Sequence, residues 1–198
     1  EVHAKVASLW LPVGYPWDYI EANVQMLDSF KDYKNLGTIE NNVTIKGNLH
    51  VGKGTTIRSG VCIEGNVYIG ENCRIGPNCY IRGSTVIGDG CKVGQAVELK
   101  NTVIMDSSNV PHLSYVGDSV IGQNSNLGAG TISANLRHDN ANVRSMIKGE
   151  MIDTGRRKLG TIIGDDVHTG INTCIYPGRK LWPGTTTLPG EIVKKDKE

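Results

Sequence analysis

The sequence predicts an all-β chain wound as a parallel β-helix, and three observations predict it. From Ile39 to Leu99 every sixth residue is aliphatic: Ile39, Ile45, Val51, Ile57, Ile63, Ile69, Ile75, Ile81, Ile87, Val93 and Leu99. The residue two places earlier is mostly small or β-branched, as at Val43, Thr55, Val61, Cys73, Cys79 and Val97, and alternate strand residues share a face, so both sets point inward. The residue that follows the aliphatic one is Gly at Gly52, Gly70, Gly76, Gly88 and Gly94 and polar or charged elsewhere, which marks a turn once per hexad. A helical stripe would recur near 3.6 residues, and an antiparallel meander would lose a six-residue phase long before the eleventh position. One strand and one turn per hexad, three hexads per coil, makes a triangular prism. Ile57, Ile75 and Val93 then stack at roughly the 4.8 Å strand spacing, and each coil closes its neighbour's backbone hydrogen bonds.

Taken in order, residues 1–35 stand outside this repeat. Pro16, Trp17, Ile20, Val24, Leu27 and Phe30 fit one amphipathic helix with proline at its start; such a helix is expected to cap the open end of the coil stack. The repeat region runs over 36–190. Its phase slips by one residue after Leu99, resumes at Ile104, Val110 and Val116, slips again, and continues through Ile121 and Leu127 to a polar member, Ser133. The pattern stops between Asn135 and Gly160 and returns at Ile163, Thr169, Ile175, Leu181 and Thr187, so 136–160 is read as a loop inserted into a continuing helix. Lys148-Gly149 between two apolar-polar runs suggests a projecting hairpin. Such an arm is expected to project from the prism, and its removal to leave the coils folded. Residues 191–198 read as a charged tail.

Composition narrows the function classes. With 21 basic and 20 acidic residues the formal charge is +1, which gives no reason to expect a nucleic-acid or membrane surface, and no secretory or long apolar segment occurs. Four of the five cysteines, Cys62, Cys73, Cys79 and Cys91, lie within the hexads without any CxxC or metal-ligand spacing. They read as reduced core residues, and a cytoplasmic setting follows.

The chemistry concentrates in Asn109-Val-Pro-His-Leu-Ser-Tyr-Val-Gly-Asp118 and in Asn126-Leu-Gly-Ala-Gly-Thr131 with Asn135 beyond it. Alternation places His112 on the inward face with Val110, whereas Pro111 and a corner break that alternation; the residues alone leave its orientation open. An imidazole titrating near 6.5 can take a proton from an ammonium group at neutral pH. Arg82 and Lys100 are 18 residues apart, one coil, so they share an edge. A dianionic phosphate suits that pair of cations.

These residues resemble the acetyltransferase domain of the bifunctional N-acetylglucosamine-1-phosphate uridylyltransferase/glucosamine-1-phosphate N-acetyltransferase family, whose pattern N-H-L-x-Y-x-G-D, N-x-G-A-G-T and a following Asn is matched here from His112 onward, with Pro111 in the place of the first Asn. The archaeal branch is the nearer likeness, since it shares the long Arg156-Arg-Lys-Leu-Gly160 insertion. Gly14-Tyr-Pro-Trp-Asp-Tyr-Ile-Glu-Ala-Asn23 looks like the tail of a nucleotidylyltransferase domain. The glycine-rich signature of that domain is absent from this chain, so uridylyl transfer is expected only in a longer parent.

The resemblance implies a left-handed β-helix, the fold of hexapeptide acyltransferases, assembled as a homotrimer with sites between subunits. It implies transfer of acetyl from acetyl-CoA to the amine of a hexosamine 1-phosphate, either glucosamine or galactosamine 1-phosphate, with no metal. His112 stands at the family's general base. Asn135 stands at the Asn that helps hold the acetyl carbonyl and the amine, where its amide or backbone N–H groups could meet the oxyanion. Arg82, Glu98, Lys100, Tyr115 and Asn126 match sugar and phosphate contacts, and Ala129 lies at the acyl end of acetyl-CoA. Lys158 matches a substrate lysine, although it lies 23 positions after Asn135 instead of a few; Arg137, Arg144 or Lys148 could supply that charge instead. Ile171 occupies the place of the family's oxyanion Ser and offers only its backbone. No residue here carries a nucleophile motif beside a His, so direct transfer is favoured over an acyl-enzyme. Two other readings have discriminating features. A γ-type carbonic anhydrase needs three zinc-bound histidines, and His3, His50, His112, His138 and His168 lack close ligand spacing; a non-catalytic scaffold would not bind acetyl-CoA.

Overall fold

The computed structural model describes residues 2–7 and 9–198. Short strands join into three parallel sheets that form the faces of a prism. Face one runs from Thr38–Ile39 to His168–Thr169 in seven strands, face two from Thr44–Lys46 to Ile192–Val193 in eight, and face three from Leu49–Val51 to Arg179–Leu181 in seven. Register follows the repeat: Ile57 pairs with Ile75 and Ile75 with Val93. Beyond Leu99 the coil shortens by one residue, so that Val93 pairs with Val110 and Leu99 with Val116. The coils resume across the insertion with Ile121 on Ile163 and Ser133 on Ile175.

The aliphatic residues of all three faces form one core. In the later coils the small inward position becomes Ser or Thr, and these buried hydroxyls are satisfied within the stack. Ser108 donates to the Gly122 carbonyl at 2.6 Å, and the Thr131 and Thr169 hydroxyls meet at 2.8 Å.

The glycine after the aliphatic residue is selected mainly by space and less by dihedral freedom. Only Gly76 of the five has positive φ; a Cβ at Gly94 would lie 1.8 Å from the Pro111 carbonyl oxygen of the next coil. The left-handed residues come two or three places after the aliphatic one. Between faces one and two they form a column, Asn42, Gly60, Asn78, Ala96, Leu113, Gly130 and Asn172, all with φ between +52° and +79°. Asn and Gly tolerate this region, whereas Leu113 does not.

The single helix, α1 (Asp18–Ser29), runs down the outside of face three instead of capping the stack. Its twelve residues span about 18 Å, close to four coils. Trp17 and Ile20 pack with Val120, next to Met105 and Ile162; Asn23 donates to the Ser84 carbonyl at 2.8 Å, Asp28 accepts from Asn66 at 2.8 Å, and Phe30 meets the edge of Tyr68. The outward column of face three, with Val86, Val103 and Val120 in register with Ile162, is apolar, and the amphipathic helix removes it from water.

The insertion is a hairpin, Arg144–Ile147 against Glu150–Asp153, turned at Lys148-Gly149, both with positive φ as a two-residue hairpin requires. Its base is built into the molecule. Val143 and Leu159 are buried with Trp17, Ile20 and Val120. Ser145 donates to the Gly178 carbonyl, Arg179 to that of Arg144, and Lys180 to that of Met146. Excision would therefore uncover apolar surface of face three. Residues 191–198 complete a partial last coil, held by Lys180–Asp196 and Lys197–Glu191 ion pairs.

Candidate functional site

Six polar side chains meet along the edge of face two, on four successive coils. Arg82 and Lys100 are direct register partners, as are Glu98 and Tyr115. The strand geometry brings each cation onto a carboxylate. Arg82 donates from Nε and Nη2 to one oxygen of Glu98, at 2.9 and 2.7 Å, and Lys100 Nζ lies 2.9 and 2.8 Å from the two oxygens of Asp118. The hydrogen bond to Glu98 raises the Arg82 pKa above its ordinary value. Two cations and two carboxylates cancel, so a phosphate seated here meets oriented donors and no excess charge.

Asp118 is the residue that the motif reading overlooked. It is 3% exposed, sits at φ +50° directly after Gly117, and accepts hydrogen bonds from Lys100, from Asn101 Nδ2 at 2.9 Å and from Asn135 Nδ2 at 2.6 Å. Its place as the last residue of the Tyr-Val-Gly-Asp run was the available signal. Asn135 also donates to Tyr115 Oη at 3.0 Å. Burial, followed by the Asp118 charge, pushes the Tyr115 phenol above its usual value. Gly117 is the floor beneath this pair; a Cβ there would lie 2.4 Å from Tyr115 Oη.

His112 ends the strand Asn109–His112 of face one, and Tyr115 begins the next strand, on face two. The left-handed Leu113 turns the chain between them. Val110 is fully buried and the His112 side chain is exposed: the corner breaks the alternation. Register continues this corner downward. Val110 stacks near Leu127, the Gly130 amide donates to the His112 carbonyl at 3.1 Å, and the Asn172 amide to the Ala129 carbonyl at 2.7 Å. His112, Ala129 and Ile171 thus follow one another at the same corner of successive coils.

Asn126 lies apart from the cluster, in register between Asn109 and His168 on face one. Lys158 is brought back despite its distance in sequence. It forms an antiparallel bridge with Leu136, and the next amide, Leu159, donates to the Asn135 carbonyl at 3.0 Å. The Lys158 side chain is exposed. Arg137 is bound to Asp139 and Arg144 to the Met151 carbonyl; both line a groove of about 580 Å³ with Ala134, Tyr176 and Arg179, below the polar cluster. Among the described residues no group of three or more His, Cys, Asp or Glu side chains could hold a metal ion, and no helix is long and apolar enough to cross a membrane.

Residues 63–183 match the family described as the GMPPB C-terminal domain. A bifunctional sugar-1-phosphate nucleotidylyltransferase/acetyltransferase of Sulfurisphaera tokodaii is 48% identical over 187 residues, covering 94% of this chain and 47% of that protein. The bifunctional protein GlmU of Methanococcus maripaludis is 56% identical over 181 residues, 91% of this chain and 43% of the relative. That of Methanocaldococcus jannaschii is 46% identical over 189 residues, 93% and 46%. The chain therefore spans about half the length of these relatives.

Proposed function

This chain belongs to the GMPPB C-terminal domain family, in its archaeal GlmU-type form, and from that premise we propose that it transfers acetyl from acetyl-CoA to the amine of glucosamine 1-phosphate or galactosamine 1-phosphate. The observation that carries this reading is the adjacency of two different surfaces at one corner. A cluster of charged and phenolic side chains, Arg82, Glu98, Lys100 and Tyr115, lies on one side of His112, and the column of Ala129 and Ile171 leads away from it.

In this reading the sugar phosphate lies on face two, with its phosphate at Arg82 and Lys100 and its hydroxyls at Glu98 and Tyr115, while Asn126, on face one, stands outside this cluster. Lys158, whose ammonium is exposed beside the Asn135–Leu136 segment, adds the positive charge that the balanced cluster lacks. The thioester extends along the Ala129 and Ile171 corner. His112 takes a proton from the substrate ammonium and releases it to solvent, and the freed amine attacks the thioester carbonyl carbon. As the carbon–nitrogen bond forms, His112 takes the second proton from that nitrogen; the tetrahedral intermediate collapses with cleavage of the carbon–sulfur bond, and the thiolate leaves with this second proton. Asn135 holds the reacting amine in place. No acyl-enzyme forms, so a ping-pong pattern would contradict this scheme.

Helix α1 and the hairpin cover face three, whereas faces one and two are bare, with exposed apolar side chains at Leu113, Ile132, Ile171 and Ile192. Association into a homotrimer through these two faces would bury them and enclose the His112 corner between subunits. Five unpaired cysteines suit a reducing cytoplasm. The deciding experiment is thiol release from acetyl-CoA with each amino sugar 1-phosphate. Release that depends on the amino sugar supports the proposal, and its absence with both, in a folded protein, refutes it.

A further inference from the structure

We infer that Asp118 is a positioning residue that locks the Asn135 amide with its carbonyl oxygen, and not its NH₂, toward the reacting centre, so that Asn135 serves as acceptor for the substrate amine and takes no part as an oxyanion donor. This rests on the acetyl-transfer reading and adds to it a residue and a polarity.

The argument is one of hydrogen-bond accounting. A primary amide has two N–H donors and one carbonyl acceptor. Both Asn135 donors are committed, one to Asp118 Oδ2 at 2.6 Å and one to Tyr115 Oη at 3.0 Å. Among the described residues nothing donates to Asn135 Oδ1, which leaves it as the open end of the group. The orientation does not depend on how amide nitrogen and oxygen are told apart. Asp118 is an acceptor on both oxygens, each already facing Lys100 Nζ, and an inverted Asn135 would set a carbonyl oxygen against a carboxylate at 2.6 Å. The carboxylate is held in turn. It is almost fully buried, anchored by Asn101, and carried on a left-handed backbone between Gly117 and Ser119. The chain Lys100–Asp118–Asn135–Tyr115 thus ties a phosphate-binding cation to the group that meets the amine. A group so fixed can accept from N–H and cannot stabilise a developing negative charge. The oxyanion must be met by other donors, and the backbone at the Ala129–Ile171 corner is where they remain.

Exchange of donor and acceptor tests this. Asn135→Asp alone sets two carboxylates against each other and should lower kcat by at least about a hundredfold. Asp118→Asn alone keeps the shape and the left-handed backbone, which Asn tolerates. It lets Asn135 invert toward the new NH₂, which should lower kcat at least about tenfold with the KM for acetyl-CoA unchanged. The double variant, Asp118→Asn with Asn135→Asp, conserves net charge and restores a donor at 118, an acceptor between them, and a free acceptor oxygen at 135. It should turn over at least about tenfold faster than Asn135→Asp. An oxyanion donor at 135 predicts the opposite, since a carboxylate cannot donate, and a double variant no faster than Asn135→Asp overturns the inference while the parent's activity leaves the proposed function standing. A parent inactive with both amino sugars overturns both. If the double variant does not fold, as judged by circular dichroism, Asp118→Asn decides alone: an unchanged kcat overturns the inference.

Discussion

Replacing Arg82 by Ala should raise the KM for the amino sugar 1-phosphate roughly fifty- to a hundredfold and leave that for acetyl-CoA nearly unchanged. Arg82 commits Nε and Nη2 to a single Glu98 oxygen, and under the proposed function Nη1 is the donor that meets the phosphate. A charge-assisted contact of this kind contributes about 1.5–3 kcal/mol, and the low end applies because the side chain is about a third exposed. Its loss also leaves Glu98 without its cation. A carboxylate roughly 6 Å from a dianion in nearly aqueous surroundings adds about 1 kcal/mol of repulsion. Together these approach about 2.5 kcal/mol, and each 1.4 kcal/mol is a factor of ten. The second part can be separated: Arg82→Ala with Glu98→Gln should recover about fivefold of the lost affinity, a coupling expected only for neighbours. Steady-state kinetics with each substrate varied in turn, at 50 and 300 mM salt, is the assay. An Arg82→Ala enzyme with a raised KM for acetyl-CoA alone would refute the placement of the phosphate. A double variant no better than the single would refute the charge balance.

Three other outcomes are expected. His112→Ala should lower kcat by about 10² to 10⁴ with acetyl-CoA binding retained, measured by calorimetry; near-parent turnover at neutral pH would remove His112 as the base. Shortening 137–157 to a tight turn should cost about 3–5 kcal/mol, because Val143 and the flanks of Ile147 and Ile152 leave the cluster around Trp17 and Ile20. It should also cut kcat/KM at least about tenfold through Lys158, and an unchanged urea midpoint would show that the contact carries no weight. Leu113→Asn should raise the urea midpoint by the equivalent of about 1 kcal/mol, since Asn42, Asn78 and Asn172 hold the same left-handed corner; a lower midpoint would mean that the exposed Leu113 side chain is packed in the assembled protein.

The prism could be read in the sequence because its cause is periodic. A six-residue spacing of Ile, Val and Leu admits few other packings, and the one-residue slips after Leu99 and Val116 mark where the coils shorten. The shared edge of Arg82 and Lys100 followed from the same arithmetic. What the period does not encode is the outside of the prism. The outward valines of face three look like ordinary strand residues until a helix lies on them, so α1 was expected at the end of the stack and lies along its side. Corners escape the period too. The sense of the His112 side chain depended on one left-handed residue, Leu113, that no simple rule would place there. Asp118 escaped because a motif position next to a glycine reads as turn chemistry, while its burial depends on Lys100 one coil above and Asn135 one coil below.

The insertion shows how such a prism gains an arm without losing its site. It leaves the chain right after Asn135, at the junction of faces two and three, where a free arm would swing across the polar cluster. Val143 and Leu159 draw it the other way, onto the apolar surface beside Trp17 and Ile20, and Arg179 and Lys180 fasten its first strand by their donors to the Arg144 and Met146 carbonyls. The ion pair of Arg156 with Glu21 at 3.7 Å joins arm to helix. Cladding of face three by both elements is thus one construction, and it leaves bare the two faces that meet at His112. The return strand is pinned by the Leu159 amide on the Asn135 carbonyl and the Gly160 amide on that of Asp118, so Lys158 arrives beside Asn135 and beside Asp118, to which the Asn135 side-chain amide donates. Twenty-two intervening residues change what covers the prism and not which side chains gather at its edge.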